Sequence, residues 1–328
     1  MGEHLSTLGR DDEAGPYLQK RIEMSTKIYE HTGTTAALRD LSVAYTNMGN
    51  HLAEIGRTAD AGAYYQYCLD LDKRIYDQSG DVAAMKDMAI SYYLVGDNLT
   101  DLGRTDEAGP YQYQSLHWYE QIYKQTGTER DLRNFSLSSG KVARHMKNIG
   151  RPDDAVAYLQ QSVNLDEQRY SQGGSEQALS DLSDSHCNLA DYLMTLDRPT
   201  DAWHYSQRFI ETANELYGKT GDIDNLRQLA LSYFRMGRNL TALGRPADAE
   251  SYFSNALNWD EHIYNQTGTM HALWDLICAY DNFSDNRSEL GLYNDARAYS
   301  RRAFELFQKY LAANPSEQEM YSYFYDKT

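Results

Sequence analysis

Cysteine, proline and long apolar runs are all scarce in this sequence of 328 residues. The 3 cysteines form no Cys-x-x-Cys pair and no disulfide framework, which favours a reducing compartment, and we expect a cytoplasmic protein. No run of about 18 apolar residues exists, so the sequence predicts no membrane-spanning helix. The N-terminus has no charged-then-apolar signal peptide, and the 6 prolines are few enough for long helices.

Positive charge is also in short supply, with 31 Lys and Arg against 48 Asp and Glu and a formal net charge of −17. Proteins bind phosphate backbones through clustered Lys and Arg, so nucleic acid is not predicted as the main partner. The acidity permits a basic partner, although solubility alone is an adequate explanation for it.

Catalytic motifs are missing as well. The sequence has no Gly-rich phosphate loop, no nucleophile elbow and no His-Glu-x-x-His. Its 9 histidines are scattered, and the repeat position shared by His4, His51 and His145 is asparagine elsewhere. That pattern favours a hydrogen-bonded ladder between helices over a metal site. We therefore predict a protein that is not an enzyme and that holds neither a cofactor nor a metal ion.

What the sequence does contain is a repeat with a period of 47 residues. Its glycine column has one vacant slot, filled by Asp197, and otherwise reads Gly9, Gly56, Gly103, Gly150, Gly244 and Gly291. Its alanine column is complete: Ala14, Ala61, Ala108, Ala155, Ala202, Ala249 and Ala296. Its tyrosine column is also complete: Tyr17, Tyr64, Tyr111, Tyr158, Tyr205, Tyr252 and Tyr299. Self-similarity at about 20–50 residues is typical of a solenoid, in which each unit buries its apolar face against its neighbours.

Each repeat contains the pattern of two helices. After Gly33, apolar residues at positions 38, 41, 45, 48, 52 and 55 are three or four apart, as on one face of a helix. Gly56 then ends this first helix, because glycine readily adopts the left-handed conformation. A second helix is predicted from Thr58 to Ser79, with Asp60 in its first turn, where a carboxylate interacts favourably with the helix dipole. The sequence thus predicts an all-α fold, an α-solenoid of helix-turn-helix repeats.

The order of these columns resembles the tetratricopeptide repeat. That family has a large apolar or aromatic residue, then Leu-Gly, an apolar residue three positions later, and Ala about twelve after the Gly. Three repeats carry the pattern in register: Tyr45, Met48-Gly49, Leu52 and Ala61; Tyr92, Val95-Gly96, Leu99 and Ala108; Tyr233, Met236-Gly237, Leu240 and Ala249. The small residues allow the two helices of a pair to approach closely.

The resemblance implies a right-handed superhelix that covers nearly the whole chain. The usual family unit is about 34 residues, and we place the excess in longer helices, as in the long-repeat bacterial members. We assign residues 1–313 to the array, with a half repeat at 3–32 and then six pairs of 47 residues, and residues 314–328 to a C-terminal capping helix. The half repeat indicates either that the chain is cut from a longer protein or that something else covers this end.

The resemblance also implies a groove that binds a partner, because the first helix of each pair lines the concave side of such arrays. One column on that face holds Asn50, Asp97, Arg144, Asp191, Arg238 and Asp285. The column beside it includes Tyr93, Cys187, Phe234 and Asp281. These columns vary while the packing columns stay fixed. A groove shaped for one partner would show this variation, and so would drift on a solvated face.

Three hypotheses follow for function. The first is a non-enzymatic scaffold that binds a peptide or protein segment in the groove, with the arginines of the first column pairing acids and its aspartates pairing bases. The second is a structural protein that stacks end to end into a homo-oligomer or filament, with contacts at Tyr321 and Phe324. The third is the sensor portion of a longer regulatory protein.

Overall fold

The secondary structure is helical throughout the part of the chain that the structure, a computed structural model, describes, residues 11–314. Thirteen helices lie in this range: α1 (Asp11–Thr32), α2 (Thr35–Glu54), α3 (Thr58–Ser79), α4 (Val82–Asp101), α5 (Thr105–Thr126), α6 (Glu129–Asn148), α7 (Pro152–Gly173), α8 (Glu176–Thr195), α9 (Pro199–Thr220), α10 (Ile223–Ala242), α11 (Pro246–Thr267), α12 (Met270–Glu289) and α13 (Tyr293–Ala313). No strand interrupts them between residues 11 and 314. The predicted all-α array of helix pairs is confirmed.

The chain divides into two compact units, Met1–Arg169 and Tyr170–Thr328. In the first unit, consecutive helices from α1 to α6 pack against one another in sequence order. In the second unit, the helices from α8 to α13 do the same. The even-numbered helices are the first helices of the pairs, and the odd-numbered helices are the second.

Each first helix begins at a side-chain cap that the sequence analysis overlooked. The capping residues are Thr34, Asp81, Thr128, Ser175, Asp222 and Thr269. In each, a side-chain oxygen accepts a hydrogen bond from a backbone N–H two or three residues later, as between Asp81 and Ala84 at 2.7 Å. Such a cap satisfies one of the backbone donors that a helix start leaves free. These residues also repeat every 47 positions, so the signal was present in the sequence.

The second helices begin and end differently. Their N-caps include Arg57 and Arg245, which make no capping hydrogen bond but pair with the acid three residues later. The Arg57–Asp60 distance is 2.6 Å, and exposed pairs of this kind contribute about 0–1 kcal/mol. The second helices end at glycines with positive φ, such as Gly80 at 59°. In the column that ends the first helices, Asp197 has a φ of 54° and is the one non-glycine residue of the described range in the left-handed region.

Small residues allow the two helices of a pair to lie close together. Ala61 and Ala249 of the invariant column are fully buried. A Cβ atom on Gly237 of α10 would lie 2.8 Å from the ring of Phe253 in α11. The resemblance predicted small residues here because the two helices of a pair approach closely, and the 2.8 Å distance shows that a larger residue would clash.

Gly237 and Gly140 provide a matched test of this packing. Replacing Gly237 by alanine is expected to lower the free energy of unfolding by about 1 kcal/mol, because displacing the Phe253 ring costs more than the helix propensity of alanine gains. The same change at Gly140 should raise it by about 0.5–1 kcal/mol, because a Cβ there would meet no atom within 4 Å. Urea denaturation of both variants measures the difference. Equal effects at the two sites would show that packing against Phe253 is unimportant.

Aromatic and aliphatic side chains fill the space between the helices. In the first unit Leu38, Leu69 and Ile75 are fully buried. In the second unit Phe209 and Phe307 are fully buried as well. Tyrosines of the repeat columns lie beside this core in pairs, with ring centroids 6.1 Å apart both for Tyr45 and Tyr64 and for Tyr233 and Tyr252.

Candidate functional site

The predicted partner-binding residues lie on first helices in both units. In the first unit they belong to α2, α4 and α6: Asn50, Tyr93, Asp97 and Arg144. In the second unit they belong to α8, α10 and α12: Cys187, Asp191, Phe234, Arg238, Asp281 and Asp285. We call these two sets the unit 1 face and the unit 2 face.

The unit 1 face contains a cluster of charges around Asp97. Its carboxylate accepts hydrogen bonds from Lys141, at 3.0 Å, and from Arg144, both on α6. The ammonium group of Lys141 also lies 4.9 Å from the centre of the Tyr93 ring, and the Tyr93 hydroxyl donates to Asp97 at 3.3 Å. The carboxylate of Asp97 and the ammonium group of Lys141, on consecutive first helices, are therefore paired within the protein beside the half-buried ring of Tyr93.

The two cations determine the charge of Asp97. Burial alone would raise its pKa, but the hydrogen bonds and positive charges of Lys141 and Arg144 outweigh this effect and hold the pKa below its usual range. Asp97 is thus ionised at neutral pH. The side-chain oxygen of Asn50 accepts a hydrogen bond from the Tyr65 hydroxyl at 3.0 Å.

The unit 2 face repeats this arrangement. Asp191 of α8 pairs with Arg235 of α10 at 2.8 Å. The guanidinium groups of Arg235 and Arg238 each lie 5.8 Å from the centre of the Phe234 ring. Arg238 is exposed and has no ion-pair partner among the described residues. Cations held over an aromatic face are attracted by its quadrupole, so Phe234 and the two arginines form one surface.

The sequence analysis missed Lys141 and Arg235 as members of these faces. They occupy one repeat column, and each lies 44 residues after the aspartate it pairs with. A search for opposite charges on consecutive first helices would have found both. Asp281 is buried and Asp285 is exposed, so these two predicted contacts differ in their access to a partner.

The three cysteines are not activated as nucleophiles. Burial raises the pKa of Cys68 and of Cys278 to about 11 and that of Cys187 to about 12, and nearby aspartates add to the effect in each case. A thiol reacts as its thiolate, which is disfavoured at all three positions at neutral pH.

A cavity of about 250 Å³ opens next to Phe234 in the second unit. It lies between α10, α11 and α12, and its lining includes Arg227, Phe234, Asp260, Asp275, Cys278 and Asn282. Within it Arg227 pairs with Asp275 at 3.1 Å. Sequence reasoning gave no indication of this cavity.

Comparison with known families finds a match in one segment of the second unit. Residues 230–263, which contain Phe234, Arg235, Arg238 and Asp260, match the tetratricopeptide repeat family. The helix pairs of this chain are similar in fold to tetratricopeptide repeats, and the match to the family model itself covers this one segment. No curated protein matches the sequence as a relative.

Solved structures of tetratricopeptide-like repeat proteins resemble this solenoid in fold. BtubC from P. vanneervenii has a TM-score of 0.58 and 14% identity over 77% of this chain and 92% of its own. The S. pombe nuclear import adaptor Nro1 has a TM-score of 0.54 and 14% identity, covering 84% of this chain and 94% of that one. The apo form of RapI has a TM-score of 0.57 and 12% identity, covering 93% and 76%. At these identities the likeness concerns the fold alone.

Two further observations concern the described part of the solenoid. Between residues 11 and 314, no three His, Cys, Asp or Glu side chains converge in a way that could hold a metal ion. In the same range no helix is both long enough and apolar enough to cross a bilayer. Tyr321 and Phe324, the predicted end-to-end contacts, and nearly all of the predicted capping helix at 314–328 lie outside the described residues.

Proposed function

We propose that this solenoid is a non-enzymatic scaffold that binds a peptide or protein segment on the first-helix faces of its units. Tetratricopeptide repeat proteins are typically protein-interaction scaffolds, and solenoids of this kind use extended surfaces for binding. The adaptor Nro1, which has a similar fold, is an example of such a role. These points support the general class of function.

One observation carries the location of the surface. The same arrangement occurs on both faces. An aspartate pairs with a cation from the next first helix, and that cation lies beside an aromatic ring. Aromatic residues and arginine dominate the binding energy of protein interfaces. Tyr93 and Phe234 are half-buried and so offer an anchored ring edge to a partner.

The ion pairs also reduce the cost of binding. Asp97 and Asp191 hold Lys141 and Arg235 in place before a partner arrives, so less side-chain entropy is lost when a complex forms. Arg238 has no ion-pair partner among the described residues, and we expect it to pair with a carboxylate of the bound segment.

A random peptide library displayed on phage tests the proposal. Selection on the wild-type chain is expected to enrich defined sequences, and binding of these peptides should fall about tenfold or more, equivalent to about 1.4 kcal/mol, in Tyr93→Ala or Phe234→Ala. Tyr293→Ala is the matched control, because Tyr293 is an exposed aromatic residue on a second helix, α13. The absence of any enriched sequence, or equal losses in all three variants, would contradict the proposal.

A further inference from the structure

Asp260 belongs to a repeat column whose other aspartates are held by serine hydroxyl groups. Asp72, 188 residues earlier, is buried and accepts hydrogen bonds from Ser42 at 2.6 Å and Ser91 at 2.5 Å. Asp166, in the same column, accepts one from Ser136 at 2.9 Å. In these repeats the carboxylate is part of the internal packing, and its oxygen atoms are occupied by neighbouring side chains.

The serines are replaced by alanine around Asp260. Ala230 of α10 stands at the position of Ser42, and Ala279 of α12 stands at the position of Ser91. Both alanines and Asp260 line the cavity in the second unit. No side chain among the described residues forms a hydrogen bond or ion pair with Asp260. Asp260 therefore lacks the two serine partners of its counterpart Asp72, and it lines the cavity.

The charges around the cavity leave room for a cation. Arg227 is engaged by Asp275 at 3.1 Å and by Asp224 at 2.9 Å. Burial raises the pKa of Asp260 to about 7, the charge of Asp275 adds to this, and Arg227 opposes it in part. A positive group placed beside Asp260 would offset the effects of burial and of the Asp275 charge, and so would favour the ionised carboxylate.

The size and walls of the cavity select the shape of that cation. Its volume of about 250 Å³ is below the roughly 300–1,000 Å³ of clefts for drug-sized ligands, so it suits one side chain. Leu231 and Phe234 supply apolar contact on one side. A flexible alkyl stem that ends in a charged nitrogen matches this combination.

We propose that this cavity receives a lysine side chain of the bound segment, with the alkyl stem against Phe234 and Leu231 and the ammonium group on Asp260. This inference rests on the proposed function, since it supplies the residue type that the partner places at this point of the unit 2 face.

The first test uses n-butylammonium chloride as a probe of the cavity, with the full chain followed by NMR at pH 8. We expect saturable shifts of the Phe234 and Asn282 backbone amides that n-butanol does not produce. Asp260→Asn, and separately Ala230→Ser combined with Ala279→Ser, should weaken the probe at least tenfold. Asp248→Asn is the control, because Asp248 is an exposed acid on the same helix. Equal shifts with butanol, or unchanged affinity in Asp260→Asn, would overturn the proposal.

The second test uses the peptides selected on the wild-type chain. Replacing one lysine by norleucine should weaken binding to the wild type at least tenfold and have little effect on binding to Asp260→Asn, as a double-mutant cycle requires. Selection could yield peptides that lack a basic residue, or peptides that carry an arginine and bind Asp260→Asn as tightly as the wild type. Either result would refute the lysine site and leave the scaffold intact. Butylammonium binding at the cavity without any selected peptide would refute the scaffold and leave a site for small amines.

Discussion

Replacing His186 by leucine should increase the stability of the protein most strongly in acid. The gain in unfolding free energy over the wild type is expected to grow by about 3 kcal/mol between pH 7 and pH 4. His186 lies fully buried in α8, and neither of its ring nitrogens has a hydrogen-bond partner among the described residues. Burial, together with the smaller effects of the charges of Arg208 and His204, lowers its pKa to about 4.

The sign of the effect follows from the two states of the chain. In the unfolded protein His186 takes up a proton near its ordinary pKa of 6.5, whereas in the folded protein it resists protonation until about pH 4. Protons therefore favour the unfolded chain in this window, and stability is lost as the pH falls from about 6.5 to about 4. About 2.5 pH units at about 1.36 kcal/mol each give the expected size.

Urea denaturation of the wild type and His186→Leu across this pH range measures the change. His262→Gln is the matched control, because His262 is an exposed histidine on α11 and is not among the groups whose charges lower the pKa of His186. Stability curves of the wild type and His186→Leu that run parallel from pH 7 to pH 4 would show that His186 is protonated without difficulty in the folded state.

Replacing Asp260 by asparagine should stabilise the protein at alkaline rather than acid pH. At pH 8 the free energy of unfolding is expected to rise by about 2 kcal/mol, with the gain falling to near zero at pH 4. The folded pKa of about 7 lies above the ordinary 3.8, so the folded chain binds the extra proton between these values. Stability of the wild type is then lost as the pH rises through this range. The figure is roughly half of what the full shift gives, because the cavity admits solvent.

The same denaturation series measures this effect, with Asp248→Asn as the control. A gain that is independent of pH would mean that the carboxylate of Asp260 titrates normally.

The two variants are also informative together. Between about pH 4 and 6.5 the titrations of His186 and Asp260 change the stability in opposite directions, so their effects partly cancel in the wild type. Each single variant removes one effect and leaves the pH dependence of the other residue visible. Their effects should add in the double variant, because independent sites add within about 0.5 kcal/mol.

Much of the fold could be predicted because it depends on backbone conformation and residue size. Gly80 marks a helix end through its positive φ, and Ala61 marks a close helix contact through its small volume. Both properties belong to the residue type, so they are visible in a repeat column. The caps at Thr34 and Asp81 follow the same logic, because a short polar side chain at a helix start is also a property of the residue type.

The candidate site could be predicted only in part. The columns placed Asp97 and Arg144 on first-helix faces, but their ion pair joins two helices whose side chains meet only in the folded array. The cavity at Asp260 depends on knowing that Ser42 and Ser91 face Asp72, which no spacing along the sequence reveals. His186 occupies a column that is tyrosine in four other repeats, and nothing in that pattern indicates a buried, unsatisfied imidazole.

The packing of each helix against its neighbours in sequence has a consequence for how quickly the protein folds. Within each unit nearly all helix contacts join consecutive helices. Side-chain hydrogen bonds between neighbouring repeats also join residues at modest separations, such as the 49 residues between Lys219 and Tyr170. Chains rich in local contacts close only short loops on the way to the native state, and they fold in microseconds to milliseconds. Folding can nucleate at any helix pair and spread from there, so the order of assembly is set by which pair is intrinsically strongest rather than by the position of a single central nucleus.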